Sequence, residues 1–150
     1  MAEVREGAFW DVMAGRAPVP PVLSHLGWKV LEAEPGRVRA RFQGREEFYN
    51  SAGLLQGGIL GAMLDGVMGS AVVSLLGRNE NVATLEMKVS YMRPCRAQPL
   101  VGEGRVVHRG RSILFTEGTL TTEDGSLVAT ATATARVVPF SPGARGERNG

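Results

Sequence analysis

The chain has 150 residues, 43% of them hydrophobic and 21% charged, with a mean hydropathy of −0.04. That size suits one domain with one core, and the balance is that of an ordinary water-soluble globular protein. The formal net charge is only +2 at a pI of about 9.1, and the arginines are scattered, which excludes a nucleic-acid-binding stripe while suiting an anionic small ligand.

In chain order, Phe9–Met13 predicts one or two helical turns, ended by Gly15 and the Pro18, Pro20, Pro21 cluster. Trp28–Ala33 and Arg37–Gln43 alternate apolar and polar residues around Glu34-Pro35-Gly36, which predicts a hairpin. A loop, Gly44–Ser51, leads into Leu54–Leu76, which is apolar nearly all round. That segment is long enough to span a bilayer, but Asp65, Gln56 and its glycines argue for a buried core helix instead, so no membrane span is expected. Gly57-Gly58 opens the helix and Gly77 stops it. Gly61, Gly66 and Gly69 each cost helix stability, and the expected compensation is close approach of another backbone.

After Gly77 the period changes to two. Asn81–Arg93 places Ala83, Leu85, Met87, Val89 and Tyr91 on one face, with Thr84, Glu86, Lys88 and Ser90 on the other. Leu100–Arg109 and Ser112–Thr122 are two more strands. Leu127–Val138 is a last one, whose alternating alanines would let a helix lie close to the sheet. The domain is expected over 1–138, short N-terminal helix included, and 139–150 reads as a disordered Gly/Pro/Arg-rich tail. The predicted fold class is α+β: one long central helix wrapped by an antiparallel sheet of about six strands. Such a sheet leaves an edge and a helix flank uncovered, which predicts a homodimer at least.

Cys95 is the one cysteine, which rules out an internal disulfide and fits a reducing, cytoplasmic setting. Met1–Glu6 carry both charge signs and lead into no apolar run, so no signal peptide is expected. His25 and His108 fall in no metal-binding spacing, and there is no phosphate-binding glycine loop.

Asp65 carries the strongest chemical signal. A carboxylate in an apolar helix needs a polar partner or a chemical use, and mid-helix it cannot serve as a cap. The N–H groups at Gly57-Gly58 have no intrahelical acceptor and suit an anion or a developing oxyanion. Asp65 lies about two turns further along, too far to reach a ligand held at that end. A second copy related by a two-fold axis would bring its Asp65 opposite this Gly57. Plainer readings stand beside these: a flexible helix start at Gly57-Gly58, a turn closed by Asn50, a solvated Gln56 and an ordinary strand Thr84.

Asn50…Gly53-Leu54-Leu55-Gln56-Gly57-Gly58…Leu64-Asp65-Gly66, then Thr84–Pro94, Gly110-Arg111 and Asp124–Ala129, together resemble the hotdog-fold acyl-CoA thioesterases of the phenylacetate-pathway (PaaI) type. The resemblance runs from about Leu23 to Val138. It implies a hydrolase that splits acyl-CoA to free acid and coenzyme A, with no cofactor beyond the coenzyme A of the substrate. It implies that Asp65 is the general base or nucleophile and that the Gly57 N–H polarises the carbonyl. Asn50 would hold the thioester region and Thr84 would place water. It further implies that the acid and the glycine come from different subunits, in a dimer of dimers. Gln56 departs from the pattern, which usually has His immediately before Gly-Gly; Gln can donate a hydrogen bond to the departing thiolate but cannot titrate. Gly58 joins the substrate-binding set, and Arg93, Arg109 and Arg111 are candidates for the phosphates of coenzyme A. Met63, Met68, Met87, Phe48, Tyr49 and Tyr91 are candidates for an apolar acyl pocket. The rival expectation is a module that binds or senses acyl-CoA without hydrolysing it.

Overall fold

The computed structural model describes residues 5–141. Most of the expected tail, 142–150, lies outside the described residues. The elements are α1 (Ala8–Met13), α2 (Pro21–His25), β1 (Lys29–Glu34), β2 (Arg37–Gln43), a 3-10 turn (Glu46–Phe48), α3 (Gly57–Val73), β3 (Glu80–Tyr91), β4 (Pro99–Arg109), β5 (Ile113–Thr122) and β6 (Leu127–Pro139). α2 was not expected. Pro21 at its first position presets the helical backbone angle, and the proline cluster that reads as a stop is also a start. β6 runs through Pro139, and the Phe140 N–H donates to Asn79 O at 2.8 Å.

The six strands form one antiparallel sheet in the order β1-β2-β4-β5-β6-β3. α3 lies across its inner face, as the α+β expectation required. Met63, Leu64 and Val67 of the helix are fully buried against Val38, Ala40, Phe42, Leu100 and Leu120 of the strands. No helix among the described residues is long and apolar enough to cross a membrane.

Close approach of backbones does occur, but the glycines that permit it are on the strands. A Cβ on Gly104 would sit 2.4 Å from Val67 O, and one on Gly118 would meet the Met68 side chain at 2.9 Å. Ala131, Ala133 and Ala135 continue this small-residue floor, as their alternation predicted.

β3 does not keep strict alternation. It pairs with β6 through a bulge between Thr84 and Glu86, which leaves Leu85 unpaired and 55% exposed. A bulge inserts one residue and reverses which face the following side chains take. Thr84 therefore points to α3 on one side of the bulge, and Met87, Val89 and Tyr91 do so on the other. The sequence reading had put Thr84 on the opposite face from Met87; the bulge is the physical reason it is not.

Candidate active site

One row of α3 runs at four-residue spacing: Gly57, Gly61, Asp65, Gly69, Val73. Residues at that spacing share a helix flank. β3 lies along this flank. Tyr91 sits over Gly57 and Gly61, Met87 and Val89 over Gly61, Thr84 on Asp65, and Val82 beside Gly69. The glycines on this flank therefore receive side chains of an edge strand, not another backbone. Asp65 is the one polar side chain the row carries.

Asp65 is half-buried, and its Oδ1 accepts a hydrogen bond from Thr84 Oγ1 at 2.8 Å. It is not sealed in the core: both residues line a cavity of about 540 Å³ between α3 and the N-terminal helices. That places a carboxylate, a hydroxyl and an apolar recess together.

The other half of the expected site sits at the start of α3. Gly57 and Gly58 have N–H groups with no acceptor among the described residues, as the first turn of a helix leaves them. Gln56 is the residue preceding the helix. Its backbone N–H donates to Phe48 O, its side chain is exposed, and its carboxamide has no partner among the described residues. Asn50 closes a turn, its Oδ1 accepting from the N–H groups of Ala52 at 2.9 Å and Leu54 at 3.2 Å. Its amide NH₂ is left to donate elsewhere.

Tyr91 was expected only as a possible pocket residue. Its hydroxyl donates to Gly57 O at 2.6 Å. That carbonyl and the Gly58 N–H belong to one planar peptide, so Tyr91 sets the direction in which the Gly58 N–H points. A Cβ on Gly57 would come within 3.2 Å of the Tyr91 ring, which gives glycine a packing role there. Alternation already turns Tyr91 to the face shared by Met87 and Val89; the structure adds that it reaches the helix start.

Within one chain the two halves stay apart. Gly57 and Asp65 are separated by two turns, about 12 Å along the axis. Arg93 follows β3 at the Gly57 end of the sheet, whereas Arg109 and Arg111 flank the β4–β5 turn at the Asp65–Thr84 end. The three arginines are exposed and do not form one cluster. Of the residues suggested for an apolar pocket, Met63, Met68 and Phe48 are packed into the core. The cavity beside Asp65 is walled instead by the N-terminal segment, including Phe9, Leu23 and Trp28. The proline cluster at Pro18–Pro21 and the missing side chain at Gly66 were the available signals: Leu23 Cδ2 lies where a Gly66 Cβ would come within 2.7 Å.

The far end of the cavity is charged. Asp11 Oδ2 accepts from Arg78 Nε at 2.8 Å, and its Oδ1 accepts from Arg16 Nε at 3.0 Å. The hydrogen bond from Arg78, then that from Arg16, holds the Asp11 carboxyl down at about 2. Cys95 is buried, and burial pushes its thiol up, which fits an inert core residue.

The sequence profile of the thioesterase superfamily matches residues 52–129. That span contains Gln56, Gly57, Asp65, Thr84 and Tyr91. Among solved structures, a phenylacetic acid degradation-related protein of Ralstonia eutropha JMP134 is 38% identical, with a TM-score of 0.81 over 85% of this chain and 98% of its own. A thioesterase family protein of Silicibacter pomeroyi is 27% identical, with a TM-score of 0.78 over 88% and 99%. The PaaI protein of the E. coli phenylacetic acid degradation operon shares the fold at a TM-score of 0.79 and 15% identity, over 89% and 95%.

Proposed function

The chain belongs to the thioesterase superfamily, and on that premise we propose that it hydrolyses acyl-CoA thioesters at a site assembled from two copies of itself. The observation that carries this reading is the Asp65–Thr84 pair opening onto an apolar cavity beside the free edge of β3.

β3 is an edge strand, so one row of its backbone N–H and C=O groups is unpaired within the chain. Thr84 marks the Asp65 half and Tyr91 the Gly57 half. A two-fold axis passing between Met87 and Lys88 pairs β3 with its copy antiparallel and sets Thr84 opposite the copy's Tyr91. Asp65 of one subunit then faces the helix start of the other. The exposed Leu85 and Tyr91 become part of the interface. Each dimer holds two such sites, and pairing of dimers into a tetramer is part of the reading.

The thioester carbonyl oxygen takes the Gly57 N–H at the positive end of α3, where negative charge on that oxygen is stabilised. Asn50, which has its NH₂ to spare, holds the thioester region from the same subunit. Asp65 of the other subunit, ionised, takes a proton from water or attacks the carbonyl carbon itself. Thr84 fixes the carboxylate and the water. Collapse of the tetrahedral intermediate breaks the C–S bond and the electron pair leaves on sulfur, which takes up the proton that Asp65 removed from water. Where Asp65 itself attacks, the thiolate takes a proton from solvent and water then hydrolyses the acyl–Asp65 anhydride to release the acid. Gln56 donates its amide N–H to the departing thiolate. It supplies no proton, and a thiol leaving group needs less help than an alkoxide. Arg93 accompanies the Gly57 half and Arg109 with Arg111 the Asp65 half, so phosphate contacts would come from both subunits.

The test is release of free thiol from a panel of acyl-CoAs by wild type and Asp65→Asn. Loss of turnover by at least about 10²-fold with acyl-CoA binding retained is the expected outcome. Undiminished turnover in Asp65→Asn removes the mechanism. Binding of intact acyl-CoA by the wild type with no thiol release favours a non-hydrolytic module.

A further inference from the structure

Tyr91 is the last residue of β3, and it is 51% exposed. A phenol so placed has water to bond with, yet its hydroxyl donates to Gly57 O at 2.6 Å. In a regular α-helix that carbonyl is already taken by the N–H four residues on. The phenol is therefore a surplus donor, and the need to satisfy a buried acceptor does not explain it. Its effect falls on the peptide it touches. A hydrogen bond to an amide oxygen draws electron density from the amide nitrogen, so the N–H of that same peptide becomes a stronger donor. That N–H belongs to Gly58.

The helix start leaves few donors free. Ile59 N–H donates to Gln56 O at 2.9 Å, and Leu60 N–H donates to the same oxygen at 3.2 Å. Gly57 and Gly58 remain as two adjacent N–H groups with no acceptor among the described residues. The Gly57 N–H shares its peptide with Gln56 O, which takes those two backbone bonds. The Gly58 N–H shares its peptide with Gly57 O, which takes the Tyr91 hydroxyl. Nothing lies within 4 Å of a Cβ built on Gly58, so the space beside it is open to a ligand. A Cβ built on Gly57 would meet Tyr91 Cζ and Oη at 3.2 Å, so the missing side chain there is what lets the phenol come down onto the peptide.

The placement is held from both sides. Tyr91 pairs with Ala129 of β6, and the Met92 N–H donates to Val128 O at 2.8 Å. The approach to α3 is held by the Leu55 N–H on Cys95 O at 2.8 Å and the Gln56 N–H on Phe48 O at 2.9 Å. Donors fixed in advance need no reorganisation when charge develops on the oxygen they face.

We propose that Tyr91 is a positioning residue of the oxyanion site: through Gly57 O it aims and strengthens the Gly58 N–H, which joins the Gly57 N–H as a second donor to the thioester oxygen. The assignment rests on the reading that a thioester carbonyl is bound at this helix start. Tyr91 itself touches no reacting atom, so its share is modest. An oxyanion donor is worth about 10²–10³-fold in turnover, and a polarising bond strengthens the next one by about 10–30%. Taken together, these give an effect of about two- to eightfold on kcat.

The test is Tyr91→Phe, which keeps the ring over Gly57 and removes the hydroxyl alone. Gly57 O keeps its helical partner, so no acceptor is orphaned. On the panel acyl-CoA that wild type hydrolyses fastest, kcat is expected to fall by about two- to eightfold. KM and the urea-unfolding midpoint are expected to hold. A second readout is spectroscopic. The same acyl-CoA, carbon-13-labelled at the carbonyl, is bound to Asp65→Asn and to Asp65→Asn combined with Tyr91→Phe. Isotope-edited infrared difference then reads the carbonyl stretch. Donors on the oxygen lower that frequency, and the double variant is expected to lose part of the shift. A purely structural Tyr91 would move the midpoint or KM and leave the shift intact. An equal shift in the two variants, or undiminished kcat in Tyr91→Phe, overturns the assignment. Failure of the hydrolytic reading shows separately, as absent thiol release from wild type or as an active Asp65→Asn.

Discussion

Asp65 stands out in the sequence because a lone carboxylate in an apolar helix has few structural uses. Its partner stands out less. Thr84 reads as facing away under strict alternation, and only the bulge at Leu85 turns it onto α3. Bulges depend on how two strands pair, and pairing lies outside a single strand's pattern. Tyr91 falls on the helix-facing side already under strict alternation, but its hydroxyl's partner, Gly57 O, depends on how β3 seats along α3. The Gly57 N–H can be tested alone because Gly57 is the first residue of α3, a position where proline fits a helix. Gln56 before it is extended at φ −58°, ψ 133°, which a following proline accepts. Gly57→Pro therefore deletes one donor and keeps the helix, with the Tyr91 ring moving slightly to admit the new Cβ. Turnover should fall by about 10²–10³-fold with the unfolding midpoint little changed. Wild-type turnover in that variant would take Gly57 out of the chemistry.

At the scale of elements, the long helix and all six strands follow from hydrophobic period and turn residues, the hairpin β1–β2 from Pro35-Gly36. What the pattern does not carry is which small residues meet. The α3 glycines suggested backbone contact, yet they face Tyr91, Leu23 and Val82, while Gly102, Gly104 and Gly118 on β4 and β5 lie against α3 or its core neighbours. Glycine in a strand reads locally as a weak spot, and its reason is a partner far away in sequence. Gly104 is the sharpest case. An added methyl would meet Val67 O at 2.4 Å and Met68 N at 2.7 Å, both backbone atoms that cannot rotate away. Gly104→Ala should destabilise by at least about 1–3 kcal/mol through overpacking, measured by urea unfolding. Gly58→Ala, where nothing lies within 4 Å, is its control and should not destabilise. Equal midpoints for Gly104→Ala and wild type would mean that α3 is not seated on β4 this closely.

At the scale of the whole molecule, the separation of Asp65 from Gly57 by two turns of one rigid helix is the strongest constraint. No rotamer change spans about 12 Å, so a site needing both must draw them from two chains. This makes inactivity separable. A chain with Asp65→Asn still offers an intact Gly57 half, and a chain with Gly57→Pro still offers an intact Asp65 half. In a mixed dimer one of the two sites receives both defects and the other receives none. Two variants, each inactive alone, should therefore regain thiol release when co-expressed and purified through different affinity tags, to about half the specific activity of wild-type dimers. The outcome depends on symmetry alone, since a composite two-fold site necessarily sorts the two lesions this way. If both residues acted within one chain, every site of the mixed dimer would carry one lesion, and co-expression would restore nothing. A monomeric species at assay concentration with full turnover would refute the shared site equally well, and sedimentation of the wild type measures that directly.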